Sequence, residues 1–414
     1  MKQKPSKQRS RKGGKYDRAK PRARHSKEEA TAPQIIQPAT VEIEKPIYGG
    51  AFLARVEGKA VFVPLTLPGE QARVRIIEQK PGYATAEAEA ILTQAPERTP
   101  PRCPYFGPCG GCHYQHADYT AQLRIKQAIL RETLERAGVH APESMDVLCG
   151  EPWAYRNRIR LAFDADGHAG YRGRRSHRII PVDQCPISAP LLVAATTEFA
   201  KLLQTNLPDF HPAELALFCN SDESALLVSI FASQQSRLAR GKFEQLATAL
   251  KGRIPALTGM ELVIEGRPGA QPQTAARWGD ISIAYRTAGF DYRVDHGAFF
   301  QVNRWLVEGL ANSVAADRKG ALAWDLFAGV GLFARRLATG FERVIAVESA
   351  PSAAAALAYN LAGTTATAFT MSTLEFLRRN RKGDRARQTV PDLIVVDPPR
   401  TGLGPDITSL LVEI

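Results

Sequence analysis

The sequence predicts a multidomain α/β protein with a small β-barrel at its N-terminus, a central α+β domain and a parallel α/β domain at its C-terminus. Two observations lead to this fold class. Short alternating segments follow one another closely over residues 37–97, and a strand, a glycine-rich turn, a helix and a second strand succeed one another from Ala321. The first pattern is typical of small barrels and the second of parallel sheets covered by helices.

Length and composition exclude several classes of protein. A chain of 414 residues exceeds the size of one compact core, so more than one domain is expected. No apolar run approaches the roughly 20 residues of a membrane helix, and no apolar segment follows the basic N-terminus, so neither a membrane protein nor a secreted one is predicted. Six cysteines are too few for a disulfide framework, which favours a reducing, cytoplasmic environment.

Most of the net charge of +12 lies at the N-terminus, where residues 1–30 contain 12 Lys and Arg against 3 Asp and Glu. A segment of this composition cannot bury enough apolar surface to fold, so residues 1–36 are predicted to be a disordered basic tail. Two functions fit the tail equally well, namely attraction to the phosphates of a nucleic acid and simple solubility.

Residues 37–97 are predicted to form the barrel. Four segments alternate apolar and polar side chains, with turn residues between them: Val41–Ile43, Ala51–Val56, Lys59–Val63 and Arg73–Ile77. Closure into a barrel removes the exposed edges of such a sheet. Small barrels of this kind often bind RNA, and a purely structural role fits the pattern almost as well.

Four of the six cysteines form a pattern in the central domain. Cys103, Cys109 and Cys112 lie close together, and Cys185 follows much later. Two glycines between Cys109 and Cys112 allow both thiolates to point at one centre. Thiolates are soft ligands, and four of them suit either zinc or an iron–sulfur cluster, between which the spacing does not decide.

A helix is predicted over Tyr119–Ala137, because Leu123, Leu130 and Leu134 share one face and Gly138 is a natural C-terminal cap. We expect the region 117–138 to pack on the C-terminal domain. The central domain is assigned to residues 98–290, and its later part mixes strands and helices without a repeat, which is typical of an α+β domain.

An arginine-rich face is predicted within the central domain. Arg156, Arg158 and Arg160 alternate along one segment, so on a strand they share a face opposite the apolar side chains between them. Arg174 follows in the same sheet, together with Arg172, Arg175 and Arg178. We expect this face to contact the phosphates of RNA, and the alternative is an ordinary solvated strand face.

Residues 291–414 are predicted to form a Rossmann-like domain with a nucleotide pocket. A buried strand that begins at Ala323 runs into a turn containing Gly329 and Gly331, where the backbone can approach a ligand closely. A second strand ends at Glu348, whose carboxylate can accept hydrogen bonds from ribose hydroxyls. These features alone fit NAD about as well as S-adenosylmethionine.

Two further features favour S-adenosylmethionine. The strand 392–396 delivers Asp397, two prolines and Arg400 at its carboxyl end, and an acid followed by two prolines at this place recurs in methyltransferases that act on planar bases. Phe299, Phe300 and Gln301 precede the first strand and offer an aromatic pair beside an amide. At least one of the two phenylalanines is expected to be a core residue.

Together these motifs resemble the uracil-5-methyltransferases of bacterial RNA, in the branch with a TRAM barrel and a [4Fe–4S] cluster. The resemblance covers residues 37–414. It rests on motifs in the family's order, which are the barrel, the four cysteines, Gln115–Lys126, Tyr155–Asn157, Phe300–Asn303, Asp325–Gly331, Glu348 and Asp397–Arg400.

The resemblance implies two cofactors and an RNA substrate. The residues expected to bind S-adenosylmethionine are Gln301, Phe327, Gly329, Gly331, Glu348 and Asp397, and Cys103, Cys109, Cys112 and Cys185 would hold a [4Fe–4S] cluster. The expected substrate is 23S rRNA, with tRNA as the alternative, and we expect a monomer that does not contact a membrane. A cysteine thiolate would add to C6 of uridine and thereby activate C5 for methylation.

The family's nucleophile lies in a Ser-Cys-(Asn/Asp)-Pro segment beyond the Asp-Pro-Pro-Arg strand, and its catalytic glutamate lies later still. Neither segment occurs in the 414 residues. We therefore expect the C-terminal domain to be incomplete and the chain as given to be inactive, in practice an RNA-binding protein without catalysis. Cys149 and Cys219 match no motif and are not expected to be nucleophiles.

Overall fold

The computed structural model describes residues 38–207, 209–234, 236, 238–266, 272–382 and 390–414. The basic tail predicted at residues 1–36 lies outside these residues. The described part of the chain forms a six-stranded sheet, a seven-stranded sheet, a two-stranded hairpin and a four-stranded parallel sheet, in that order along the sequence. The predicted succession of a barrel, an α+β region and a parallel α/β region is confirmed.

The six-stranded sheet is a closed barrel. Its strands are β1 (Ala39–Glu42), β2 (Lys45–Ile47), β3 (Ala51–Val56), β4 (Lys59–Pro64), β5 (Gln71–Gln79) and β6 (Tyr83–Thr93), paired in the order β1-β5-β6-β4-β3-β2. The circle closes because β1 leads almost directly into β2, where the Glu44 N–H donates to the carbonyl of Leu53 on β3 at 2.8 Å. Phe52, Val63 and Val74 lie among the side chains that fill the interior.

Two strands of the barrel, β2 and β6, are missing from the sequence prediction. Strand β6 buries Ala84, Thr85 and Ala86 and then alternates, with Glu87 and Glu89 exposed on either side of Ala88. Because alanine and glutamate are both uncommon in strands, composition hides an alternation that the residue spacing contains.

The helix α1 (Tyr119–Arg136) has nearly the predicted ends. The Asp118 carboxylate accepts a hydrogen bond from the Ala121 N–H at 2.7 Å, and Gly138 has a φ of +75° just beyond the C-terminus. The predicted packing of α1 needs correction. Its buried side chains are Ala121 and Ile125, which belong to the barrel core, whereas Leu130 is half exposed. The small Ala121 lets α1 approach the barrel closely, so the helix packs there.

The seven-stranded sheet carries the central region. Its strands are β7 (Arg158–Phe163), β8 (Ala169–Arg172), β9 (Ile179–Pro181), β10 (Glu214–Cys219), β11 (Leu226–Ser233), β12 (Leu257–Glu265) and β13 (Gln273–Gly279), in the order β13-β12-β11-β10-β7-β8-β9. Only β11 and β12 are parallel, and α3 (Arg240–Arg253) connects them. The helices α2 (Pro190–Asn206) and α3 bury Phe199 and Phe243 in the core of this sheet.

A hairpin of β14 (Ser282–Thr287) and β15 (Phe290–Asp295) spans the predicted domain boundary between residues 290 and 291. Tyr285 and Tyr292 of the hairpin are fully buried, and the ring of Phe300 lies 4.5 Å from that of Tyr285, centre to centre. These aromatic side chains share a core with the C-terminal parallel sheet. The hairpin therefore packs with the C-terminal region.

The C-terminal sheet is parallel throughout, with the strand order β18-β17-β16-β19. The elements in chain order are α4 (Val307–Ala315), β16 (Gly320–Leu326), α5 (Leu332–Leu337), β17 (Phe341–Glu348), α6 (Pro351–Leu361), β18 (Ala366–Thr370), α7 (Thr373–Lys382), β19 (Leu393–Val396) and α8 (Gly404–Val412). The three strands predicted in this region, which begin at Ala323, end at Glu348 and span 392–396, are present as β16, β17 and β19.

Helices cover both faces of the parallel sheet. Leu332, Leu337 and Leu357 pack on one face, and Trp324, Phe376 and Leu410 form a separate core on the other. This arrangement leaves the carboxyl ends of β16, β17 and β19 together at one edge, where open α/β sheets bind their ligands. Across the described residues, no helix combines the length and the apolar character needed to cross a membrane.

Candidate functional site

The glycine-rich turn after β16 has an unusual backbone. Phe327, Gly329 and Gly331 all have positive φ values, of +66°, +56° and +91°. A non-glycine residue such as Phe327 rarely adopts this conformation, and such strain is typical of functional sites. A Cβ on Gly331 would lie 2.7 Å from the Leu357 side chain, whereas one on Gly329 would meet only the Phe299 carbonyl, at 4.0 Å. Gly331 thus allows close packing, and Gly329 leaves space above the turn.

Glu348, at the end of β17, holds the turn in place. One carboxylate oxygen accepts the N–H of Gly329 at 2.9 Å, and the other accepts the N–H groups of Ser349 and Ala350 at 2.6 and 2.7 Å. A carboxylate offers about four lone-pair positions, so one acceptor position stays available for a ligand. The carboxylate is therefore fixed in direction and can still bind a hydroxyl group.

Two segments distant in sequence meet across a cavity beside this turn. The Gln301 side-chain amide donates to the Asp397 carboxylate at 3.2 Å. The cavity is lined by Phe299, Phe300, Gln301, Phe327, Ala328, Gly329, Val330, Leu332, Phe333 and Asp397. Four of the six predicted cofactor residues thus line the cavity. Of the other two, Glu348 accepts a hydrogen bond from Gly329 at the border of the cavity, and Gly331 packs against Leu357.

The two neighbouring phenylalanines have different roles. Phe300 is buried among Phe218, Tyr285 and Tyr292. Phe299 is 58% exposed and lines the cavity. The expectation that at least one of them is a core residue is confirmed, and Phe299 is the one whose aromatic face is open to a ligand.

Asp325 is a buried carboxyl group that the sequence analysis did not include among the site residues. Its side chain is fully buried at the end of β16, and one oxygen accepts the Ala334 N–H at 2.8 Å. The other oxygen has no hydrogen-bond partner among the described residues. Burial raises the pKa of Asp325 to about 7, and the nearby carboxylates of Asp397 and Glu348 act in the same direction. The sequence signal that identifies Asp325 as a site residue is its position at the end of a buried strand, just before the glycine turn.

Asn157 joins the central region to the cavity. Its side-chain amide donates to the Gln301 carbonyl at 2.9 Å and to the Tyr285 hydroxyl at 3.1 Å, and its backbone N–H donates to Val302. Nearby, the Arg304 N–H donates to the Tyr155 carbonyl. The Tyr155–Asn157 motif therefore fixes the segment that carries Phe299 and Gln301.

The loop that carries three of the predicted cysteines is bound to the turn after β8. The Gly110 N–H donates to the Arg172 carbonyl at 3.1 Å, and Cys109 forms an isolated bridge with Gly173. Gln115 supports the loop from inside, because its amide donates to the Cys112 sulfur at 3.2 Å and its carbonyl accepts the Cys103 N–H at 3.1 Å. The loop is thus held in one conformation by protein contacts alone.

The four thiols influence one another. Burial raises the pKa values of Cys103, Cys109 and Cys112, the last to about 11, and in each case the proximity of Cys185 raises the pKa further. A bound metal would supply the positive charge that these thiolates require. Within the described part of the chain, no three of these sulfur atoms lie within 4.8 Å of one another.

The predicted arginine face is not one surface. The Arg158 guanidinium stacks 4.4 Å above the ring of Phe218, its Nε is inaccessible and has no partner among the described residues, and burial lowers its pKa to about 10. Arg158 is therefore partly buried against Phe218, its cross-strand neighbour on β10, and its contact with RNA stays a prediction. A contact between distant segments of this kind is not revealed by a period of two.

The other predicted arginines have different surroundings. Arg160 is exposed and paired with Glu214. Arg156 forms isolated bridges with Ser188 and Asn303, beside the cofactor segment. The Arg174 guanidinium donates to the carbonyls of Gly107 and Cys112, so it stabilises the cysteine loop.

The two remaining cysteines lie apart from both sites. Cys219 is buried in β10, its thiol lies 3.6 Å from the Asn157 carbonyl, and burial raises its pKa to about 12. Cys149 is exposed and is not among the residues that line the cavity. The burial of Cys219 disfavours a reactive thiolate at neutral pH.

A barrel joined to a parallel sheet, with a strained glycine turn and a fixed carboxylate at the next strand end, fits the fold expected from the resemblance to RNA methyltransferases with a TRAM domain. Comparison with known proteins agrees. The TRAM domain family matches residues 36–88, and the tRNA (Uracil-5-)-methyltransferase family matches residues 118–413. The chain belongs to this uracil-5-methyltransferase family.

Individual relatives are similar over most of their length. A 23S rRNA (uracil(1939)-C(5))-methyltransferase of Klebsiella pneumoniae is 30% identical over 408 residues, which cover 94% of this chain and 86% of the relative. An uncharacterized RNA methyltransferase of Nitratidesulfovibrio vulgaris is 29% identical over 392 residues, covering 88% and 82%.

A solved structure is similar in fold. It is the Pyrococcus abyssi tRNA (uracil-54, C5)-methyltransferase in complex with S-adenosyl-L-homocysteine, which aligns with a TM-score of 0.67 and 20% sequence identity. The alignment covers 90% of this chain and 87% of that protein.

Proposed function

We propose that this protein acts in the transfer of a methyl group from S-adenosylmethionine to C5 of a uridine in 23S rRNA. The observation that carries the proposal is the meeting of Gln301 and Asp397 across the cavity beside the glycine turn, at 3.2 Å. An amide and a carboxylate side by side can bind the polar edge of a planar base, and the exposed ring of Phe299 can stack on its face.

S-adenosylmethionine is proposed to bind over the turn 327–331, where it supplies an electrophilic methyl group. Glu348 offers its remaining acceptor position to the ribose hydroxyls, and the space above Gly329 allows the ligand to approach the backbone closely. The hydrogen bonds to Gly329, Ser349 and Ala350 keep the carboxylate from turning away when the pocket is empty.

The uridine must be activated before it can accept a methyl group. A thiolate that adds to C6 leaves an enolate whose C5 is nucleophilic, and after methylation a base removes the C5 proton and the thiolate departs. We propose that the thiolate is none of the six cysteines in this sequence. Four of them converge in the cluster, Cys219 is buried with a raised pKa, and Cys149 lies outside the cavity lining.

The proposed path of the RNA runs between the barrel and the cysteine loop. A groove there is lined by Gly49, Gly50, Ala51, Pro64, Gly110, Gly111, His113 and residues 171–175. Arg175 is exposed in this groove, and Arg172 is exposed at its side. These charges suit a phosphate backbone, while the target base must leave its stack to reach the cavity. A tRNA is the second candidate substrate, since the fold neighbour from Pyrococcus abyssi carries a tRNA name.

The four cysteines are proposed to hold a [4Fe–4S] cluster. What supports a common site is that the Cys185 thiol lies close enough to Cys103, Cys109 and Cys112 to raise the pKa of each. Four thiolates suit zinc as well as an iron–sulfur cluster, and the resemblance to the iron–sulfur branch of the family favours the cluster. The cluster would tie the loop 103–112 to the segment at Cys185.

Binding and covalent trapping together test this proposal. The chain of 414 residues is mixed with S-adenosylhomocysteine, and separately with a 23S rRNA fragment that contains 5-fluorouridine and with S-adenosylmethionine. We expect both ligands to bind, with no RNA–protein complex that survives denaturation, because the attacking thiolate is not one of the six cysteines. Failure to bind either ligand would contradict the proposed function, and a covalent complex mapped to Cys149 or Cys219 would refute only the statement about the nucleophile.

A further inference from the structure

Three carboxyl groups lie in or beside the cavity: Asp397 lines it, Glu348 bonds to Gly329 at its border, and Asp325 is fully buried next to the turn. Asp325, Glu348 and Asp397 lie at the carboxyl ends of β16, β17 and β19, three neighbouring strands of one sheet. None of the three takes part in a salt bridge in the described part of the chain, although that part contains 24 such contacts. Three acidic groups therefore lie at or near the cavity with no salt-bridge partner among the described residues.

The groups packed around Asp325 do not neutralise it. Among the described residues, the N–H of Ala334 is the one hydrogen-bond donor to Asp325, and the hydroxyl of Tyr292 on β15 donates instead to the Leu332 carbonyl. The two arginines of α5 point elsewhere, since Arg335 donates to the Asn360 carbonyl and Arg336 to the Ala288 carbonyl. The charged groups that interact with the Asp325 carboxyl are the carboxylates of Asp397 and Glu348.

We propose that this trio of carboxyl groups biases the pocket towards a cationic cofactor, and that Asp325 is the specificity-determining residue behind this bias. The inference rests on the proposed function, in which the ligand is S-adenosylmethionine. When its methyl group passes to C5 of the uridine enolate, the sulfur keeps the electron pair of the broken S–C bond and becomes a neutral thioether. The reaction therefore removes one positive charge from the pocket.

This change of charge separates the substrate form of the cofactor from the product form. The trio attracts the sulfonium and gives no such attraction to the sulfur of the product. The ionisation of Asp325 sets the strength of this attraction. One oxygen of Asp325 has no hydrogen-bond partner among the described residues, so a nearby cation stabilises the ionised form of the carboxyl group. The raised pKa of Asp325 places this ionisation near neutral pH. A site of this kind favours release of the product over retention.

The first test compares three ligands by calorimetry: S-adenosylmethionine, S-adenosylhomocysteine and sinefungin, which carries an ammonium group in place of the methylsulfonium. Asp325→Asn keeps an acceptor for the Ala334 N–H and removes the charge. We expect this substitution to weaken the binding of both cationic ligands about tenfold relative to that of S-adenosylhomocysteine.

A matched control is Asp392→Asn. The Asp392 carboxylate accepts the N–H groups of Ala321 and Leu322 at the opposite end of the sheet. The control should leave all three dissociation constants unchanged.

The second test needs no variant and therefore does not depend on the folding of Asp325→Asn. In the unmodified protein, the preference for S-adenosylmethionine over S-adenosylhomocysteine should increase as the pH rises from 6 to 8. At pH 7, binding of the sulfonium should release up to about half a proton more than binding of the thioether, measured in two buffers of different ionisation enthalpy.

The outcomes separate this inference from the proposed function. If none of the three ligands binds to the unmodified protein, the cofactor assignment fails. If all three bind and Asp325→Asn weakens them equally, or the preference does not change with pH, the cofactor assignment stands and the charge bias is refuted.

Discussion

Replacing one cysteine of the cluster, Cys112→Ser, is expected to remove the iron and to destabilise the protein strongly. Cys112 is the most confined of the loop cysteines, since burial raises its pKa to about 11 and Gln115 donates to its sulfur. A serine oxygen is a harder ligand that suits the cluster poorly. Anaerobically purified protein should contain about four irons per chain, and the variant clearly fewer than one.

The loss of stability should appear as a lower melting temperature. If the cluster stabilises the loop 103–112 by several kcal/mol, the melting temperature of the variant falls by about 10 °C. Cys149→Ser is the matched control, because Cys149 is exposed and outside the cluster, and it should change neither iron content nor melting temperature. Unmodified protein that is colourless and holds one zinc ion would show that the iron–sulfur assignment is wrong.

A second large effect is expected for Glu348→Gln, which should weaken binding of S-adenosylhomocysteine about 100-fold. The glutamine side chain has one acceptor oxygen and one donor nitrogen, whereas the site presents the N–H groups of Gly329, Ser349 and Ala350 to the carboxylate. One of these N–H groups loses its acceptor, and the ribose loses a charged partner. The hydrogen bond that the ribose loses is one to a charged group, which contributes up to about 3 kcal/mol, or about two powers of ten in affinity.

The control for this substitution lies on the same strand. Glu342 is exposed near the start of β17, away from the cavity, so Glu342→Gln should leave the dissociation constant unchanged. Isothermal titration of both variants, together with their melting curves, distinguishes a lost ligand contact from a general loss of structure. A Glu348→Gln variant that binds within threefold of the unmodified protein would contradict the role given to this carboxylate.

The sequence predicts the parallel sheet and its pocket well, because the patterns that indicate them are formed by residues close together in the chain. The strand that ends before Phe327, the glycines of the turn and the carboxylate of Glu348 are local patterns with a fixed meaning in an α/β sheet. The meeting of Gln301 and Asp397 follows once the strand order is known, because both segments reach the same edge.

Other features depend on contacts between distant segments, which periodicity does not encode. Arg158 occupies the predicted strand face, yet its guanidinium stacks on the ring of Phe218, its cross-strand neighbour on β10. The leucine row of α1 is more conspicuous in the sequence, yet Ala121 and Ile125 are the residues that pack on the barrel. The structural role of Arg174 in the cysteine loop depends on two backbone carbonyls that no side-chain pattern reveals. The monomeric state and the cytoplasmic location stay predictions.

The most direct test of the central claim is nucleoside mass spectrometry of RNA from the organism that encodes this chain, with and without the gene. Ribosomal RNA and tRNA are purified separately, and their content of 5-methyluridine is measured. We expect deletion of the gene to remove one 5-methyluridine per 23S rRNA and to leave tRNA unchanged. Loss from tRNA alone would transfer the assignment to the second candidate substrate, and unchanged 5-methyluridine in both RNAs would contradict the proposed function.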